Sequence, residues 1–251
     1  MSQPLAIISA MEGELRAILE QLTHQEMVRV GPRDFWRGHW HGQPVVAVLS
    51  RIGKVAAATT ATVLVERFAV SRMVFTGVAG GLGSGVAVGD VVVAKRFLQH
   101  DLDASPLFPR FEVPLYGRSH FDTDERLGSA LAQAAQTVLA DVVGLLGELA
   151  VREFSLTAPR LHRGLIISGD RFVSSTRESV ALQQTLPDAL AVEMEGAAVA
   201  QVCHDYGIPF AAVRTISDRA DEGAHRDFKR FMDHVASRYS AAIISEMLRR
   251  L

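Results

Sequence analysis

Seven short runs of apolar, β-rich residues punctuate the chain: LAIISA (5–10), PVVAVLS (44–50), MVFTGVAGGLG (73–83), DVVVAKRF (90–97), GLIISGD (164–170), ALAVEMEG (189–196) and PFAAVRTISD (209–218). They are continuous rather than alternating, and a strand that is apolar on both faces has to be covered on both. Helical spacing supplies the cover. From Glu12 onward Leu15, Ile18, Leu19 and Leu22 share a face, and KVAAATTATVLVERF (54–68), after the break at Gly53, is rich in small residues that let a helix lie close to a sheet. Residues 124–141 are expected to be helical, as is GAAVAQVCHDYG, which Gly207 caps and Pro209 follows. A last helix is expected from about Asp227 to Arg250, with Phe228, Phe231, Met232, Val235, Tyr239 and Met247 at helical spacing. The alternation predicts a single α/β domain over residues 1–251, its central mixed and largely parallel sheet flanked by helices.

Composition removes several function classes. The 251 residues carry a net charge of only -2 with no basic stripe, so no nucleic-acid partner is expected. MSQPLAIISAMEGE lacks a basic leader region and reaches acidic residues early, which is not a signal peptide. No apolar run approaches the roughly 20 residues that span a bilayer. Cys203 is the lone cysteine and sits in an apolar helical run, so neither an internal disulfide nor a cysteine metal site can form. A reducing cytoplasm fits this usage. The nine histidines are scattered, HExxH and CxxC are absent, and neither a metal nor another cofactor is expected.

In open α/β sheets ligands gather beyond the carboxyl ends of the strands. Acids cluster there: Glu12 and Glu14 after the first run, Asp170 after GLIISG, Glu193 and Glu195 around Met194, and Asp218 after AAVRTIS. Any one of them reads equally well as a helix cap or a first-turn acid. Three or more within one domain point to a site. VAGGLGSG (78–85) matches neither the GxxxxGK[ST] nor the GxGxxG pattern, so a tight turn with close backbone approach competes with a phosphate cradle. His100-Asp101 reads more readily as an exposed turn than as a polar pair. Residues 100–122 hold three prolines without a clear period, as a loop or lid would.

ISAMEGEL, SRIGKVAAA, TGVAGGL, SGDRFVSS, AVEMEGAAVAQVCHDYGIPF and VRTISDRAD occur in an order and spacing that resemble the 5'-methylthioadenosine/S-adenosylhomocysteine nucleosidases of the purine nucleoside phosphorylase superfamily. The likeness runs from about residue 5 to residue 248. It implies a nucleoside phosphorylase-like fold, a homodimer, and hydrolysis of the N-glycosidic bond of 5'-thio-substituted adenosines to release adenine. It implies that Glu14 activates water, that Asp218 protonates N7 of adenine, and that Glu195 accepts hydrogen bonds from the ribose hydroxyls. Phe172 would stack on the base and the Val173 backbone would read its edge. Met194 would lie against the ribose. Met11, Ile52 and Phe228 would line the 5'-alkylthio pocket, Ser217 and Arg214 would support the acid, and Val78, Ala79 and Gly80 would meet purine and ribose.

These residue types suit the chemistry. The bond breaks through a ribosyl cation, so one carboxylate must face that cation while another acid holds a proton for the leaving base. Related phosphorylases bind phosphate through arginines near the first strand and the glycine turn; here MEGE follows the first strand and Phe75-Thr76 precedes Gly77. A glutamate at that place repels phosphate and suits water, with Arg51 and Arg16 as the remaining positive charges. The chain departs from the family pattern at Val78 (often serine), Gly196 (commonly alanine) and Ala198 (commonly threonine). It also departs in the lid, where Leu107, Phe108, Phe111 and Pro114 would close the 5' pocket or form dimer core, and in the longer stretch 151–162. Two alternatives follow: a related purine nucleosidase or phosphorylase acting on another substrate such as futalosine or its amino form, and a non-catalytic nucleoside-binding protein on the same fold.

Overall fold

The computed structural model describes residues 3–221 and 228–251, leaving aside the side chains of residues 228 and 229. In chain order the elements are β1 (Leu5–Ser9), α1 (Glu12–Leu19), β2 (Thr23–Val30), β3 (Arg33–Trp40), β4 (Gln43–Leu49), α2 (Lys54–Phe68) and β5 (Arg72–Gly81). There follow β6 (Val91–Gln99), β7 (His120–Asp122), α3 (Glu125–Leu139), α4 (Val142–Leu146), α5 (Glu148–Glu153) and β8 (Leu161–Ser168). The last are α6 (Thr176–Thr185), β9 (Ala189–Glu193), α7 (Gly196–Tyr206), β10 (Phe210–Asp218), α8 (Phe228–Phe231) and α9 (Ser237–Leu248). One π-helical turn, Met232–Ala236, joins α8 to α9 inside the expected last helix, a local widening that a simple helical period does not encode.

All seven apolar runs form strands, and the sheet they build is α/β but not largely parallel. Of the ten strand pairings among the described residues, five are parallel (β1–β4, β1–β5, β5–β10, β6–β8, β8–β9) and five antiparallel. The strands β5, β9, β8, β6 and β10 close into a ring, and β1, β4, β3 and β2 extend from β5 as an open wing. The ring is closed by two antiparallel joins, 80–81 against 191–192 and 91–93 against 213–215. A ring strand is buried on both faces whichever way it runs, so a continuous apolar run reports burial and not direction.

The helices cover both sides. Leu15, Ile18, Leu19 and Leu22 of the α1 region pack with α3 and α9 in one cluster, while α2 and α7 pack with Phe35, Phe75 and Phe97 in another. Asp124 caps α3 by accepting from the Leu127 N–H at 2.8 Å, and Gly207 ends α7 in the left-handed region at φ +64°. Gly196 opens α7 hard against the sheet: a Cβ there would collide with the Phe97 ring. Thus α7 lies close on the ring, with Glu195 at its cap position just beyond the end of β9.

Candidate active site

The ends of the strands make one pocket. β5 contributes Val78, Ala79 and Gly80, β10 contributes Ser217 and Asp218, and the end of β9 contributes Val192, Glu193, Met194 and Glu195. Ala10 and Met11 after β1, Ile52 after β4, and Arg171, Phe172 and Val173 after β8 complete the wall. The space, including its open mouth, is about 610 Å³. Ile52 and Phe172 stay substantially exposed at the rim, while Val173 is buried.

Glu14 is fully buried and hangs from the same turn as Ala10 and Met11. Its Oε2 accepts from the Met11 N–H at 3.3 Å, and its Oε1 makes no hydrogen bond with the described residues. Burial raises its carboxyl to about 8, although Arg214 and the Met11 N–H pull it down. Glu195 is raised to about 7 by burial and by the neighbouring charge of Glu193, opposed by a hydrogen bond from the Gly53 N–H at 2.8 Å and by Arg214. Burial thus favours the protonated form of Glu14, and a cation in the pocket would favour the ionised form that the reaction needs.

Asp218 is also buried. Its Oδ2 accepts from the Ser217 hydroxyl at 2.7 Å and its Oδ1 from the Ala220 N–H at 2.8 Å. Gly80 lets the neighbouring strand approach, because a Cβ on it would stand 3.1 Å from Asp218 Oδ1.

Arg214 is the one arginine or lysine fully buried among the described residues. It was expected to support the acid at 218; its hydrogen bonds run instead to Glu193 at 2.8 Å and to the carbonyls of Phe75 and Val213. It lies 4.1 Å above the Phe75 ring, and its charge falls on Glu14 and Glu195. Glu193 also accepts from Ser168 Oγ and from the Gly196 N–H, so it caps α7 while it holds Arg214. Among the lining residues, Ala10, Arg171 and Val192 were not expected, and Glu193 was expected only as one of the strand-end acids, with no role of its own. A signal for Glu193 was present: an arginine inside the otherwise apolar FAAVRTIS needs a buried acid.

Phe228 begins α8, but its side chain lies outside the described residues. Leu107, Phe108, Phe111 and Pro114 of the lid do not line the pocket; Leu107 is exposed, and Phe111 packs beside Leu98 and Ile167. His100 and Asp101 form a turn as expected, yet the imidazole is buried against Gly169 and Asp101 is ion-paired with Lys54. In the stretch 151–162, Val151 and Leu156 are buried and the Arg160 N–H donates to Asp90 at 2.7 Å. Among the described residues no group of three His, Cys, Asp or Glu side chains is arranged to hold a metal, and no helix is long and apolar enough to cross a membrane.

Comparison with known proteins matches residues 4–249 to the phosphorylase superfamily. Among solved structures, the 5'-methylthioadenosine/S-adenosylhomocysteine nucleosidase of Neisseria meningitidis, in complex with methylthio-immucillin-A, is 34% identical with a TM-score of 0.87, over 100% of both chains. The S-adenosylhomocysteine nucleosidase of Streptococcus pyogenes, in complex with 5-methylthiotubericidin, is 32% identical with a TM-score of 0.86, over 100% of this chain and 98% of that one. The futalosine hydrolase of Helicobacter pylori is 32% identical with a TM-score of 0.85, over 99% and 98%.

Proposed function

This chain belongs to the phosphorylase superfamily and, within it, to the 5'-methylthioadenosine/S-adenosylhomocysteine nucleosidases, and from that membership we propose how its pocket works. It is an N-ribosyl hydrolase that cleaves the glycosidic bond of 5'-thio-substituted adenosines and releases adenine. The observation that carries the proposed mechanism is that Glu195 and Asp218 line one cavity from separate strand ends while Glu14, buried next to the Met11 wall, is within electrostatic reach of Glu195.

Asp218, steadied by Ser217 and the Ala220 N–H, delivers a proton to N7, so that adenine leaves as a neutral base. Phe172 and Val173 hold the purine. Glu195 accepts from the ribose diol, and Met194 lies against the ring. As the C1'–N9 bond lengthens, positive charge grows on the sugar between Glu14 and Glu195. Glu14, in its ionised form, accepts a hydrogen bond from water on Oε1 and takes a proton of that water as the water oxygen attacks C1'. A pocket with more buried acids than buried cations suits such a cation and disfavours inorganic phosphate. Val78, Ala79 and Gly80 flank purine and ribose, and Met11 and Ile52 form the wall for the 5' substituent.

We also propose a homodimer in a cytoplasmic setting, serving nucleoside breakdown and methionine salvage. The exposed Leu107, Leu115, Ile52 and Val55 support the dimer, and the reduced, buried Cys203 suits the compartment. The test is release of the free base, adenine from methylthioadenosine, S-adenosylhomocysteine and aminofutalosine and hypoxanthine from futalosine, each with and without phosphate. Adenine from the thioethers without phosphate is expected. Strict phosphate dependence would overturn hydrolysis, and a base released only from futalosine would transfer the chain to the second substrate.

A further inference from the structure

The turn that carries Ile52 to the pocket rim is bound into a closed circuit of hydrogen bonds outside the pocket. Gly53 there has φ +95°, which L side chains rarely adopt, and its N–H points at Glu195 Oε1, 2.8 Å away. The next N–H, that of Lys54, donates to Asp170 Oδ1 at 2.8 Å. The Asp170 N–H donates to Asp101 Oδ2 at 2.8 Å, and Asp101 Oδ1 accepts from Lys54 Nζ at 2.6 Å, which closes the circuit. Lys54 Nζ also donates to Gln99 Oε1 at 3.1 Å, and Gln99 Nε2 donates to Gln201 of α7, the helix that begins just after Glu195. A Cβ on Gly53 would stand 3.1 Å from Asp170 Oδ1, so the circuit is fitted to a glycine there. None of Lys54, Asp101 or Asp170 lines the pocket.

We propose that Lys54, Asp101 and Asp170 are positioning residues that set the 51–54 turn, so that the Gly53 N–H occupies one lone pair of Glu195 and leaves the remaining ones aimed at the ribose hydroxyls. The proposal rests on the reading of Glu195 as the receptor of the ribose diol. It ties the start of the lid, at Asp101, to sugar recognition without any contact to substrate. A structural ion pair of this kind, part-exposed at both ends, would contribute little to folding on its own. Its geometric content is larger: it fixes two consecutive backbone N–H groups and the carboxylate that faces one of them. Burial works against the charge of Asp101, yet Lys54 and the Asp170 N–H together hold its carboxyl below the ordinary range, so the circuit stays charged.

The experiment compares methylthioadenosine with its 2'-deoxy counterpart in Lys54→Met, Asp101→Asn and Asp170→Asn, beside Glu195→Gln and the parent. In the three circuit variants kcat/KM for the riboside should fall roughly tenfold or more while the 2'-deoxy substrate changes far less, so that the preference for the 2'-hydroxyl collapses. Lys54→Arg should recover part of it. Equal loss on both substrates, or an unchanged preference in all three, would overturn the proposal, since a merely structural circuit damages both alike. Asp101→Asn keeps side-chain shape and serves if Lys54→Met does not fold. If Glu195→Gln leaves the preference intact, the ribose assignment itself fails and takes the circuit with it. If only Glu195→Gln abolishes the preference, the circuit fails alone.

Discussion

Burial lifts the Glu14 carboxyl from an ordinary 4.5 to about 8, against the pull of Arg214 and the Met11 N–H, and this has two consequences of opposite sign. For turnover the ionised form is needed, so kcat/KM for methylthioadenosine should climb as pH rises towards 8; a plateau already reached at pH 5.5 in initial-rate measurements would contradict it. For folding the protonated form is favoured, because the folded value lies above the unfolded one. That contribution is complete below about 4.5 and is lost as pH rises through about 8. Glu14→Gln should therefore melt at a higher temperature than the parent at pH 9 and nearly alike at pH 4.5, read by calorimetry, while its kcat falls about 10²–10⁴-fold. Asp218→Asn should lose a comparable factor in kcat, with purine binding retained in equilibrium dialysis. Acids at strand ends were legible in the sequence because their position relative to an apolar run is a local pattern. The role of Arg214 was not, since its partner Glu193 is twenty-one residues away in the chain and only ring closure brings them together at 2.8 Å.

At the scale of elements, α7 lies against β6 with no room for a side chain at Gly196. Gly196→Ala should cost about 1–3 kcal/mol in denaturant unfolding, because the added methyl meets the Phe97 ring, and Phe97→Leu in the same chain should return part of that loss. A double variant no better than the single one would show that the backbone, not the ring, sets the limit. The buried strands were readable because burial on both faces leaves a continuous apolar signature. The β2–β3 hairpin was not, because THQEMVRV is mostly exposed and carries no apolar run. Within 142–153, α4 and α5 are too short to establish a period, and α6 is a mainly polar helix, TRESVALQQT, with one buried residue. The π turn after α8 was hidden for the same reason: one extra residue per turn leaves the apolar face almost unchanged.

For the molecule as a whole, the closed ring is the seat of the pocket, and loops beyond its strand ends form the rim. The lid presents Leu107 and Leu115 at 85% and 90% exposure, a large apolar outlay for a surface meant to stay wet. Sedimentation equilibrium should give twice the 27.3 kDa of one chain, and Leu107→Asp with Leu115→Asp should shift it to a monomer with a raised KM for alkylthio substrates. A monomeric parent would end the dimer proposal. Ring and rim together were beyond sequence periodicity, because which strands meet across the barrel is decided by closure and not by neighbours in the chain. Closure also leaves few backbone groups to the outside: the short β7 and the outer strand β2 are where the ladder stops. At β2 an incoming polypeptide would meet Glu26, the Arg29–Asp34 pair and a register shift beside His24, whose φ is +53°. Such an edge is a poor template for further strands, so a second polypeptide arriving there would not lengthen the ladder.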